Sequence, residues 1–269
     1  MPSPPTAAPF GSGPVGLVQA AGERPGAEDM DLVHERLAAL GAGGLGELNI
    51  VRPASTAAFS RLDSRLPGYE AARAALAARG FEPIIRPVGG HLAVYGPGDL
   101  VVHLWAPHPD ARSQIRERFM LFGEAVAGSL RELGVDTRIG AVPGEYCTGE
   151  YSVNRAGTAK LAGTGQRLTR HGYLFSAVLM VERADAARAA LEEAYSLLGL
   201  EFAPESVGCV ADAVPGATAD SLRHTLAAAV GRLVPLSPRT SSSSAPSSAL
   251  ASPSGLPPAS TAIPASAIS

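Results

Sequence analysis

Apolar residues recur at spacings of three and four along Pro109–Gly134. Ile115, Phe119, Phe122, Val126, Leu130 and Leu133 fall on one stripe, the strongest helical period in the chain. A second stripe, Met30, Leu32, Val33, Leu37 and Leu40, predicts a helix over 30–40 that the glycines at 41, 43 and 44 end. Pro67 and Gly68 open a short helix, and Gly80 closes it at the usual C-terminal glycine position. Two more helices are predicted, one at about 185–198 and one from a Thr218–Asp220 cap to about Val230.

Between these stripes the pattern shortens. LGELNIVRP and STAAFSRLDSRLPG read as two short strands, because Leu48, Ile50 and Val51 are β-formers bounded by Gly and Pro. Strands at Ile84–Arg86 and Leu92–Tyr95 flank a Gly89-Gly90 corner, and a third, Asp99–Trp105, follows the Gly96-Pro97-Gly98 turn. Strand-like pieces then run over 136–142, 151–154, 159–168 and 173–181. They cluster as hairpins instead of alternating with helices, which predicts an α+β fold: a mixed, mainly antiparallel sheet with helices packed on one face.

Composition sets the limits of the folded part. Residues 1–26 are rich in Pro, Gly and Ala and read as a flexible segment, and 235–269, with one charge and no aromatic residue, reads as a disordered tail. Residues 27–234 are enough for one domain with a substantial core. A net charge of −3 and a pI near 6.1 give no basic field, so nucleic acid is not an expected partner. An acidic carrier protein would have to meet local arginines, for which Arg112, Arg116 and Arg118 are the candidate cluster. No run of eighteen apolar residues and no signal-peptide order is present, so no membrane association and a cytoplasmic location are expected. In that reducing compartment Cys147 and Cys209 are expected as free thiols, Cys209 packed within the apolar SVGCVA stretch.

Candidate chemistry concentrates in GEYCTGEYSVNRAGTAKLAGTGQR, residues 144–167. Lys160 is the only lysine among 22 basic residues, the rest being arginine. A guanidinium is a wide fork that stays charged, whereas an ammonium is a compact point charge on a thin stem. A site that aims one small cation at one oxygen would reject Arg; the alternative is a lysine left by chance on a hairpin surface. Strand alternation puts Thr164 and Gln166 on the face of Lys160. Gly89 and Gly90 either let the backbone approach a ligand or serve a tight corner, and Arg86 either holds a phosphate or pairs with a carboxylate at the core edge. The six histidines and two cysteines lack metal-ligand spacing, so no metal site is expected, and the glycine-rich segments match neither the phosphate-loop nor the dinucleotide fingerprint.

Two motifs together carry a resemblance. Arg86, two spacers, Gly89-Gly90, a strand and Gly98-x-Leu100 are followed about sixty residues later by K-x-x-G-T-x-Q-R at Lys160, Gly163, Thr164, Gln166 and Arg167. In this order they resemble the lipoate-protein ligase and octanoyltransferase superfamily, whose catalytic fold is shared with biotin protein ligase; the resemblance covers about residues 45–208. It implies that Lys160 binds the carbonyl of an activated fatty acyl group, with Arg86, Gly89, Gly90, His91, Tyr95, Gly163, Thr164 and Gln166 around the substrate. A preplaced cation in a dry site stabilises a tetrahedral oxyanion more than the neutral ground state.

The segment E-Y-C-x-G-x-Y-S is similar to the octanoyltransferase and amidotransferase branch, in which a cysteine before the lysine takes the acyl group as a thioester. That implies Cys147 as nucleophile, against the plainer role of a small buried loop residue. With a turn at 155–158, Ser152 would lie opposite Lys160 and Cys147 about 17 Å away along a straight strand, so the 144–149 loop must fold back. The chain departs from the family pattern where a third glycine, a histidine-aspartate pair and a later histidine-glycine are replaced, the last by Phe175-Ser176. About twenty-five residues follow Gly208 before the tail, too few for the ligases' accessory domain. The resemblance therefore implies an acyltransferase that needs no cofactor and moves an octanoyl or lipoyl group onto a lysine of a lipoyl-domain protein or glycine-cleavage H protein, with an acyl carrier protein as a possible donor. The alternatives are an ATP- and Mg-dependent lipoate-protein ligase and a non-catalytic module that binds acylated carrier.

Overall fold

A computed structural model describes residues 8–182 and 184–238; of the expected disordered tail, 239–269 lies outside the described residues, whereas 236–238 form a short strand paired with 15–17, a correction to that expectation. In chain order the elements are β1 (Val15–Arg24), α1 (Gly26–Gly41), β2 (Gly46–Pro53), β3 (Thr56–Phe59), α2 (Tyr69–Ala78), β4 (Glu82–Ile85), β5 (Ala93–Tyr95) and β6 (Leu100–Pro107). There follow α3 (Ile115–Glu132), β7 (Thr137–Ile139), β8 (Val153–Arg155), β9 (Ala159–Leu168), β10 (Gly172–Leu179), α4 (Ala184–Leu198), α5 (Ala219–Gly231) and β11 (Leu236–Pro238). Eight strands form one sheet in the order β11-β1-β2-β6-β10-β9-β8-β7. It is antiparallel from β2 to β7 and parallel at β1 with β2 and β11. A smaller sheet orders β4-β3-β5. The fold is thus α+β with a mixed, mainly antiparallel sheet.

Two further expectations are corrected. Residues 15–24, assigned to a flexible segment on their Gly and Ala content, form β1, and Val15 is buried in the core. Helices also cover both faces of the sheet. The face carrying Leu48, Ile50, Leu100, Val102 and Leu104 packs with Phe122, Val126 and Leu130 of α3 and Leu222, Leu226 and Val230 of α5. The other, with Val51, Val101, Trp105, Leu174 and Met180, packs with Met30 and Val33 of α1 and with α4. The sequence contains the reason: Leu100–Ala106 is a continuous apolar run apart from His103, and a strand with both faces covered loses the polar alternate positions. Full burial of each such side chain is worth about 1.5–3 kcal/mol.

His103 is accommodated as a link between layers. Its Nε2 lies 2.8 Å from Asp29 of α1 and its Nδ1 2.9 Å from Ser176 Oγ on β10, while Arg24 donates to Asp29 at 3.0 Å. Asp99, in the turn before β6, accepts backbone N–H groups of Gly96 and Val181 at 2.9 and 3.0 Å. Burial, opposed by these bonds, pushes its carboxyl up to about 7.

A carboxyl raised on folding binds its proton more tightly in the native state, so its contribution is complete below the unfolded value and disappears as pH rises through the folded one. Wild-type stability relative to Asp99→Asn is therefore expected to fall between pH 4 and pH 7 in urea titrations; a difference independent of pH would refute this.

Candidate active site

Lys160 lies one residue before an irregularity that shapes the cleft. β8 pairs with β9 as Asn154↔Lys160 and Val153↔Ala162, so Leu161 is an extra residue, a bulge. Asn154, not Ser152, stands opposite Lys160, because the turn tightens to 156–158. The bulge also reverses the parity of everything after it. A Cβ on Gly163 would sit 3.1 Å from Lys160 Cε and one on Gly165 3.0 Å from Val88, so the two glycines, not Thr164 and Gln166, share the face of Lys160. Gln166 turns to the other face, where it donates to Ile115 O at 2.9 Å and accepts from Arg118 Nε at 2.7 Å.

Thr164 and Gln166 nonetheless border the cleft. Met180 N–H bonds Leu161 O and Thr169 N–H bonds Gly172 O, so the odd-numbered residues of β9 face β10 and the even-numbered ones point their peptide groups the other way. The β8 pairing ends opposite Ala162, so β8 does not pair with those peptide edges beyond it.

The loop from 140 to 152 folds back across this gap, as the expected Lys160–Cys147 approach requires. Lys160 is 1% exposed, and its Nζ donates to Tyr146 O at 3.0 Å and Cys147 O at 2.8 Å, with Glu145 Oε1 at 3.6 Å. That oxygen also accepts from Gly149 N–H at 2.9 Å and Ser152 Oγ at 2.8 Å, so the ammonium is held by two carbonyls and by a carboxylate that also ties the loop together. Burial pushes the lysine below its usual value, while Cys147 and Glu145 pull it back up. A buried ammonium persists only with such partners.

Cys147 has φ +45, one of two non-glycine residues in the left-handed region among those described. That conformation costs about 1–3 kcal/mol and is held by its surroundings. Its N–H donates to Tyr195 Oη at 2.7 Å, and Tyr195 donates onward to Leu92 O at 2.9 Å. Its Sγ accepts from His91 N–H at 3.3 Å and faces Arg86 Nη2 at 3.5 Å.

Arg86 also donates to the carbonyls of Ala58, Gly89 and His91. It therefore neither pairs with a carboxylate nor keeps its fork free for a phosphate; it fixes the corner beside the sulfur. Gly90, φ +92, is needed because a Cβ there would come within 2.5 Å of Cys147 Sγ, whereas one on Gly89 would meet nothing within 4 Å.

The cleft holds about 430 Å³, within the roughly 300–1,000 Å³ of small-molecule sites. Arg86, Gly89, Gly90, Tyr95, Cys147, Lys160, Gly163, Thr164 and Gln166 all border it, while His91 is not among its lining residues and touches the site through its backbone N–H on Cys147 Sγ. Its walls continue over Met30, Val33, Val101, Leu174 and Val178, an apolar surface for a chain. Cys209 is buried away from the site and bonds Asp212. The expected arginine cluster is broken, since Arg118 is fully buried against Tyr173 and Gln166. Glu145 and Tyr195 were not singled out in the sequence. Glu145 sits within the cysteine segment, but Tyr195 lies on α4 as one more member of its apolar stripe, and nothing local marks it.

The family model described as the lipoyl protein ligase A/B catalytic domain matches residues 65–229. The chain belongs to this family. An octanoyl-[GcvH]:protein N-octanoyltransferase of Geobacillus kaustophilus is 29% identical over 145 residues, 54% of this chain and 51% of the relative. One of Exiguobacterium sibiricum is 33% identical over 132 residues, 48% of this chain and 46% of the relative. The chain thus spans about half the length of the curated relatives it matches. A solved lipoate-protein ligase A bound with ATP superposes with TM-score 0.62 at 21% identity, covering 85% of this chain and 87% of that one. A putative lipoate protein ligase of T. acidophilum with bound lipoic acid gives 0.63, with the same identity and coverage. Both show the lipoate-ligase fold.

Gly90→Ala is expected to lower unfolding stability by about 1–3 kcal/mol, from the positive φ and the clash with sulfur. Gly89→Ala should stay within about 0.5 kcal/mol. Equal urea midpoints for the two variants would contradict the assigned role of Gly90.

Proposed function

We propose that the chain is an acyltransferase moving an octanoyl or lipoyl group onto a specific lysine of a lipoyl-domain protein or glycine-cleavage H protein. Cys147 carries the acyl group as a thioester and Lys160 donates to the oxyanion. One observation carries the reading: a buried ammonium borders a chain-sized apolar cleft and holds the carbonyl of a cysteine whose sulfur borders the same cleft. The names of the relatives, which transfer octanoyl groups from GcvH to protein, support it.

In the first half-reaction the Cys147 sulfur attacks the donor carbonyl, the oxyanion collapses, and the donor leaves. In the second the acceptor lysine attacks the thioester and the sulfur leaves. A cation in place before the charge develops needs no reorganisation, and loss of such a donor typically costs about 10²–10³ in rate.

The cleft does not fit a triphosphate as well. Its two cations are Arg86, engaged by three carbonyls and the sulfur, and Lys160, engaged by two carbonyls and Glu145. No step is therefore assigned to ATP or Mg, and an acyl carrier protein is one possible donor beside an octanoylated H protein.

Incubation with an octanoylated carrier should add about 126 Da by intact mass, the octanoyl adduct of a cysteine nucleophile. Cys147→Ser should abolish the adduct, and Lys160→Met should slow its formation at least a hundredfold. Product that requires octanoate and ATP and survives Cys147→Ser would establish the ligase instead. Absence of product with every donor would leave a binding module.

A further inference from the structure

Asp63 is a fully buried carboxylate that the sequence did not single out. Its Oδ2 accepts Ser60 N–H at 2.7 Å, and its Oδ1 lies 2.8 Å from His91 Nδ1. The histidine side chain is 39% exposed while its partner is 0% exposed, so the ring is anchored in the interior and reaches the surface. An ionised carboxylate only accepts, so Nδ1 carries the proton in the neutral ring and Nε2 presents its lone pair. Among the described residues no hydrogen bond engages that Nε2. The same residue's backbone N–H holds Cys147 Sγ. A buried acid orienting an imidazole next to a nucleophile is the arrangement by which a histidine is prepared to move protons.

The chemistry requires such a group. Lys160 must remain an ammonium while it donates to the oxyanion, so it cannot take up a proton in the same step. Arg86 is engaged by three carbonyls and the sulfur. Burial pushes the phenols of Tyr146 and Tyr195 above their usual values. The donor's leaving group is a lysine amine when the donor is an acylated lysine, and an amide nitrogen leaves only if it is protonated.

We propose that His91, oriented by Asp63, is the general acid and base for the lysine nitrogen in both half-reactions. The inference rests on the acyltransferase reading above. In the first step Nε2 takes the Cys147 thiol proton as the sulfur forms the C–S bond, the amide C–N bond breaks, and that proton passes from Nε2 to the departing nitrogen. The products are an acyl-thioester, a free amine and neutral His91. In the second step the acceptor amine forms the new C–N bond, its proton passes to Nε2, the C–S bond breaks, and the proton returns to the sulfur to restore the thiol. Two amide lysines are exchanged through one thioester, so one proton carrier serves both directions.

The test compares donors whose leaving groups differ. An octanoyl-lysine carrier needs its nitrogen protonated; S-octanoyl-N-acetylcysteamine releases a thiolate and does not. His91→Ala is assayed for Cys147 acylation from each donor by intact mass, and preformed acyl-enzyme is then chased with acceptor. The rate loss on the amide donor and in the aminolysis chase should exceed the loss on the thioester donor by at least a hundredfold, the usual scale of general acid–base catalysis. Added imidazole should restore part of both. Equal losses on the two donors without imidazole rescue would make His91 a structural residue and overturn the proposal, as would an amide-donor rate within threefold of wild type. Wild-type protein that forms no adduct from either donor fails at the earlier step and removes the acyltransferase reading itself.

Discussion

A buried ammonium must be surrounded by acceptors, and Lys160 obtains them from the loop that carries Cys147. The two carbonyls that receive its protons belong to Tyr146 and Cys147, so the charge that prepares the cleft also fastens the loop onto the sheet. Glu145 completes the arrangement from below, itself tied to Val142, Gly149 and Ser152. Removing the charge would release the loop and leave a fully buried carboxylate without its cation. Electrostatics and loop geometry at this site are therefore one constraint, and the left-handed backbone of Cys147 is tolerated because it is held from four sides.

The sheet supplies the other half of the design. The extra residue at Leu161 lets Lys160 and two glycines share one face, which gives the ammonium a thin floor to lie over, and β8 stops short so that the cleft opens along β9. An unbulged strand would have put Thr164 and Gln166 side chains where the cleft floor is, and Gln166 would not reach α3.

What could be read from the sequence follows from this. The amphipathic stripe of α3, the capped α5 and the hairpins of β9 and β10 are local patterns, and the structure has them. The glycine pair and the lone lysine marked the site through residue types that nothing else substitutes. Features that depend on distant pairing were not legible. β1 reads as a Gly- and Ala-rich segment until β2 and β11 are placed beside it, and the second helical layer could be inferred only from a β6 run apolar on both sides. The bulge is a matter of register between two strands, and so the alternation argument failed at Gln166. Tyr195 reaches the cysteine across about fifty residues of chain and Asp63 reaches His91 across about thirty, both with ordinary local surroundings.

The composition of the surface has a consequence of its own. A protein that holds an acyl group as a reactive thioester risks passing it to any nearby side-chain amine of its own kind. Here the sole lysine is 1% exposed with its protons directed at carbonyls, and every other strong base is an arginine, which does not take an acyl group under such conditions. For the proposed thioester at Cys147, two copies that meet therefore offer each other no exposed lysine acceptor.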